Sequence, residues 1–231
     1  MPLSKGPDQT PNMPEEIRGT LRRHMIEVPR CIENATGIRI FGKTIRSLAF
    51  TTDVAVIKNI NADAIIAVYP FTPQPAITHA IMMAADVPVF CGVGGGTTMG
   101  KRVVNLALDA EFQGAIGVVL NAPTPDETIR AVRDTIDIPI VVTVVSENTD
   151  LKARMEAGAT ILNVSGARKT VDIIKKIRDQ LPNVPIIATG GPNEETIMAT
   201  IEAGANAITY TPPTPGEPFK TLMEKYRQQL A

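Results

Sequence analysis

The chain has no tryptophan, and aromatic residues make up only 4% of it, so it offers no stacking platforms of the kind that single-stranded nucleic acid needs. Neither charge is in excess: 23 Lys and Arg stand against 24 Asp and Glu, which removes any general attraction to nucleic acid or an anionic membrane. There are only two cysteines, Cys31 and Cys91, with no signal-peptide pattern and no apolar run long enough to span a bilayer; a cytoplasmic protein with reduced thiols is expected. The two histidines, His24 and His79, fall in helical stretches, and no His/Cys/Asp/Glu spacing suggests a metal site. No early strand opens into the Gly-x-Gly-x-x-Gly fingerprint of a dinucleotide fold.

What is present is a 231-residue chain, 44% hydrophobic, long enough to bury a full core without disulfide or metal staples. Residues 1–13 hold three prolines among small polar residues and read as a flexible tail. From Pro14 an amphipathic helix is expected, with Ile17, Leu21 and Met25 on one stripe and Arg18, Arg22, Arg23 and His24 on a solvated face. Residues 38–50 alternate on both sides of Gly42, which predicts a small hairpin whose second arm runs on into a first strand. Apolar, β-branched runs then recur at 64–69, 87–92, 115–120, 138–145, 160–164, 186–189 and 207–211, as strands buried on both faces require. Helical stretches separate them, and a last one covers 217–229. This is the pattern of an α/β protein, a single (β/α)8 TIM barrel over residues 14–231, with 14–42 as an N-terminal helix and hairpin arm. The repeat of Glu156-Ala-Gly-Ala as Glu202-Ala-Gly-Ala, each just before a strand, favours barrel closure.

The stretch Pro185-Ile-Ile-Ala-Thr-Gly-Gly is a short buried strand that ends in two glycines, and Pro192-Asn-Glu-Glu-Thr-Ile opens a helix behind it. Free N–H groups and the helix dipole make such a turn a natural anion site. With the following Glu202-Ala-Gly-Ala-Asn-Ala-Ile, it resembles the phosphate-binding barrels: sugar-phosphate isomerases and epimerases, thiazole synthase, and the flavin barrels related to IMP dehydrogenase and nitronate monooxygenase. The resemblance implies a phosphate held by the loops after the seventh and eighth strands. In the eighth loop, however, prolines 212, 213, 215 and 218 delete donors and Glu217 adds a negative charge.

In a barrel the working residues sit where strands end. The second signal is the run after the third strand, Gly94, Gly95 and Gly96 through Gly100 to Lys101 and Arg102. Gly95 to Lys101 fits the first seven positions of a P-loop, but Arg102 stands where the magnesium-binding Ser or Thr belongs, so an ATPase is excluded while an anion-holding loop is not. Glu147 and Asp53 are the candidate bases at strand ends, Asp53 being equally suited to cap the helix after it, and Lys101 is the candidate acid or electrostatic clamp. Gly190, Gly191, Thr189, Asn121, Asn163, Ser165 and Thr211 complete the expected ligand-binding set. No lysine lies on the sixth strand to form a Schiff base, and Cys91 reads as a packed thiol.

The expectation is an enzyme acting on a small anionic, phosphorylated, carbonyl or sugar-like metabolite by acid/base chemistry, of isomerase, lyase or hydrolase type. It needs no cofactor, contacts no nucleic acid or membrane, and assembles as a homo-oligomer. Two alternatives stay open: an FMN-binding oxidoreductase barrel, and a non-catalytic sensor of a metabolite phosphate.

Overall fold

Strands made almost wholly of apolar residues must be covered on both faces, and a closed parallel sheet inside a ring of helices does this. The structure, a computed structural model, describes residues 25–230. The tail and most of the helix expected before Met25 lie outside them. A short hairpin, β1 (Ile38–Ile40) and β2 (Lys43–Ile45), turns at Phe41-Gly42. The eight barrel strands follow: β3 (Ser47–Phe50), β4 (Ala64–Ala67), β5 (Val89–Gly94), β6 (Gly117–Leu120), β7 (Ile140–Val144), β8 (Ile161–Val164), β9 (Ile186–Thr189) and β10 (Ala207–Tyr210). They pair in parallel, each with the next in sequence, and β10 closes on β3. Eight helices stand outside: α1 (Val54–Lys58), α2 (Pro75–Ala84), α3 (Lys101–Phe112), α4 (Asp126–Arg133), α5 (Leu151–Ala157), α6 (Thr170–Gln180), α7 (Glu194–Glu202) and α8 (Gly216–Leu230). The expected (β/α)8 barrel is borne out.

Alternation along each strand sorts the core into two. Leu48, Ile66, Phe90, Val119, Val141, Ile161, Ile187 and Ala207 fill the barrel interior, while their neighbours in sequence pack outward against the helices. Each such side chain contributes about 1.5–3 kcal/mol by leaving water. Phe90 fits inside only because its neighbour across the sheet is Gly117, whose added β-carbon would stand 2.9 Å from the ring. The hairpin brings Ile38, Ile40 and Ile45 into the same interior cluster and closes the N-terminal end of the barrel. Access is therefore from the C-terminal end alone.

The Glu-Ala-Gly-Ala repeat has a physical cause. Gly158 and Gly204 follow α5 and α7 at φ +126° and +113°, where other residues are strained. Each lies under the stem of an arginine from the preceding helix, Arg133 over Gly158 and Arg178 over Gly204. Arg178 then donates to the carbonyls of Gly204, Pro182 and Val184 and to Asn206 Oδ1, stitching three units together at the closed end.

Candidate active site

At the open end, the strands give a well with two unlike walls. The interior-facing positions are Phe50, Val68 and Gly92 on the β3–β5 side, and Thr143, Asn163, Thr189 and Thr209 on β7–β10, each two residues beyond an interior core residue. No barrel strand carries a charged residue. Asn163 Nδ2 donates to Thr143 Oγ1 at 3.3 Å, and Thr209 Oγ1 is buried with no partner.

Two clefts adjoin over the apolar wall. One, of about 570 Å³, is lined by Phe50, Thr51, Asp53, Tyr69, Asn121 and Thr211 among others. The second, of about 270 Å³, runs on past Tyr69 and Asn121 to Gly94, Gly95, Gly96, Thr97 and Thr98. Val68, Tyr69, Pro70 and Asn121 line both. Asp53 and Tyr69 are the only ionisable side chains among their lining residues. Asp53 caps α1: its Oδ1 accepts from the Ala55 and Val56 amides at 2.8 and 3.1 Å, which leaves Oδ2 uncommitted. The Tyr69 hydroxyl accepts from the Gln74 amide at 3.0 Å, so its own proton is available to a ligand.

The glycine turn is built by close approach. A β-carbon on Gly94 would meet Val103 of α3 at 2.4 Å, and one on Gly95, at φ +98°, would meet Asn121 at 2.6 Å and Thr124 Oγ1 at 2.8 Å. The Gly95 amide closes the turn on the Thr98 carbonyl at 3.0 Å. Gly96 and Gly100, at φ +74° and +62°, face open space. The helix beyond has no side-chain cap, no acidic residue in its first turn, and Lys101 and Arg102 exposed there. Uncapped amides, a dipole and two cations together favour an anion.

The turn after β9 is different. Gly190 is pressed between Ile208 and Ile197, and Gly191, at φ +87°, lies against Thr196, so packing and backbone conformation alone require both glycines. A capping box between Asn193 and Thr196 occupies the N-terminus of α7, and Glu194 and Glu195 sit in its first turn. Neither glycine lines either cleft at the mouth. Glu147 also stands apart, its carboxylate 3.4 Å from Lys169 Nζ and its carbonyl bonded to Lys176 of α6. Ser165 is exposed at the rim beyond β8. The structure thus gathers Asp53, Asn121, Thr211 and Gly94–Gly96 into the clefts, and Asn163 and Thr189 into the polar wall below. Tyr69, Thr143 and Thr209 join them, although none was in the expected set; strand alternation would have found the two threonines.

Cys91 faces the helix layer, and burial, with Asp109 nearby, pushes its thiol up to about 12; it is a packed thiol. His79 is exposed on α2, away from the mouth. Among the described residues, no three His, Cys, Asp or Glu side chains gather as metal ligands would.

Solved structures share this architecture. A 2,3-dimethylmalate lyase, described as a PEP mutase/isocitrate lyase superfamily member, is 16% identical, with 91% of this chain and 86% of that one covered at a TM-score of 0.60. The chain is a (β/α)8 barrel. Other (β/α)8 barrels similar to it are a phosphonopyruvate hydrolase in complex with oxalate and Mg++ (14% identity, 79% of each chain covered, TM-score 0.56) and a mandelate oxidase variant with an FMN adduct (16%, 77% of this chain and 68% of that one, TM-score 0.59). At these identities the likeness is one of fold. No protein-family model matches the sequence, and no curated protein matches it.

Proposed function

We propose that the protein is an enzyme of lyase or hydrolase type, acting by proton transfer on a small anionic metabolite bound across the two clefts. One observation carries the reading: the cleft lined by Asp53, the one carboxylate among the residues of the two clefts, runs through Tyr69 and Asn121 into the cleft with the uncapped glycine turn. The anion, a phosphate or carboxylate, rests against Gly96–Gly100 and the start of α3, with Lys101 as an electrostatic clamp. Asp53 Oδ2 takes the proton, the Tyr69 hydroxyl donates to the oxygen on which charge develops, and the Asn121 amide orients the group between them. The lyase and hydrolase names of two similar structures agree with this class.

The reading uses neither a Schiff base nor a flavin. No barrel strand holds a lysine, and the loops after β9 and β10, with Pro192, Pro212, Pro213 and Pro215 and with Glu194 and Glu195 opening α7, do not fit the phosphate of FMN. A single carboxylate in the lining of the clefts likewise does not fit a divalent cation such as the one bound with oxalate in the hydrolase. Glu147, paired with Lys169, takes no part.

Asp53→Asn tests the assignment, because asparagine caps a helix as well as aspartate does but cannot accept the proton. Turnover is followed on whichever hydroxy acid, keto acid or sugar phosphate in a panel the wild type consumes. The asparagine variant should keep its melting temperature and lose about 10²–10⁴-fold in kcat. Wild-type turnover in Asp53→Asn would remove Asp53 from the mechanism.

A further inference from the structure

The proposed chemistry uses the apolar side of the well and leaves the polar wall without a purpose. That wall is unusual for its place. Thr143 on β7 pairs with Asn163 on β8, and Thr189 on β9 with Thr209 on β10; each lies two residues above an interior core residue of its own strand, and the wall steps up between β8 and β9, where Asn163 stands opposite Ile187. Thr143, Asn163 and Thr189 are partly exposed. Since the hairpin closes the other end with Ile38, Ile40 and Ile45, that exposure is to the mouth. Thr209 is 7% exposed, faces the same interior, and its Oγ1 has no hydrogen-bond partner.

A buried hydroxyl without a partner is a cost that valine, of nearly the same shape, would avoid. Only Thr209 bears that cost, since Asn163 donates to Thr143 and Thr143, Asn163 and Thr189 are partly exposed, but all four positions hold a hydroxyl or an amide where packing alone would be met by valine and leucine. None is charged, so the wall suits neutral oxygens and not a second anion. Opposite it stand Phe50, Val68 and Gly92, which offer no hydrogen bond from their side chains.

We infer that Thr189, Thr209 and Asn163 form a specificity wall for the hydroxyl or carbonyl oxygens of the ligand, so that the substrate is an anion bearing at least two neutral oxygen groups. The inference rests on the reading that the anion itself is held at the glycine turn. A substrate anchored there extends its body over the well, where only β7–β10 present hydrogen-bonding side chains from the strands. Oxygens on that body pair with the wall, and an alkyl chain would leave the wall unpaired.

Calorimetric titration of two matched pairs tests this: glycerol 3-phosphate against n-propyl phosphate, and glycerate against propionate. Each pair shares its anion and its carbon count and differs in two hydroxyls. The wild type should prefer the hydroxylated member of at least one pair by about tenfold or more, as sites built to bond a hydroxyl reject analogues that lack it. Thr189→Val with Thr209→Val should bring that preference close to one while leaving the alkyl anion's affinity unchanged, and Thr209→Ser should retain it. Equal affinity of the wild type for both members, or an unchanged preference in the double variant, overturns the specificity wall alone. Failure of all four anions to bind overturns the anion site and the wall together.

Discussion

Gly95 lies so close to Asn121 that a β-carbon added to the glycine would stand 2.6 Å from that of the asparagine. The contact joins the loop after β5 to the loop after β6, and the Asn121 amide seals it by donating to the Gly94 carbonyl at 2.9 Å. Asn121, one of the residues that line both clefts, is therefore positioned by the turn that is proposed to hold the anion.

Gly95→Ala should destabilise the protein more than Gly96→Ala. Both place an alanine at positive φ, at about 1–2 kcal/mol. Only at Gly95 does the new methyl also collide with backbone and side chain, which adds about 1–3 kcal/mol. Thermal melts should show Gly95→Ala lower than Gly96→Ala by about 2–4 °C or more. Equal melting temperatures would show that the loop gives way without cost.

The Asn121 loop has a second anchor. Arg154 of α5 donates to Asp126 Oδ1 at 2.8 Å and to the carbonyls of Thr124 and Ala122, and both charged side chains are largely buried. Arg154→Lys keeps the charge and loses the fork. It should cost about 1–2 kcal/mol in denaturant unfolding and weaken ligand binding through the displaced Asn121. Unchanged affinity beside lowered stability would separate the anchor from the site.

The Cys91 thiol gives a pH dependence of known sign. Below pH 9.0, its ordinary value, it is neutral in both folded and unfolded chains and adds no slope. Above that the unfolded chain ionises while the folded one holds its proton until about 12, so stability falls as pH rises through this window. Melting temperatures of wild type and Cys91→Ala, measured from pH 8 to pH 10.5, should converge as the pH rises. Parallel curves would mean that the thiol ionises in the fold as it does in the open chain.

The barrel was legible because burial on both faces leaves a strand little choice of residues. Each of the seven runs from 64 to 211 overlaps a strand, six of them containing it whole, and the hairpin turns at Phe41-Gly42, on its expected pivot. The end of β5 was not. The sequence places it at Gly92, whereas the strand continues to Gly94 through a register shift against β6. Glycines that read as a loop were there to let α3 and the neighbouring loop approach. The same ambiguity affects Gly190 and Gly191, whose spacing suits an anion and equally suits packing against Ile197, Ile208 and Thr196. Side-chain direction beyond a strand end has no parity to follow. Asn163 and Thr189, on their strands, could be placed inside from sequence, whereas Glu147, three residues past β7, was free to turn toward Lys169.

The central claim is that the ligand's charge rests on the turn before α3. Gly96 allows a direct test, since its position is open and its φ of +74° is one that asparagine and aspartate tolerate better than other residues. The measurement is a calorimetric titration of glycerol 3-phosphate and of glycerate into wild type, Gly96→Asn and Gly96→Asp. The asparagine variant should bind the better of the two ligands nearly as the wild type does, and the aspartate variant at least about tenfold more weakly, from the like charge set beside the anion. Equal binding by the two variants would place the anion elsewhere and contradict the account.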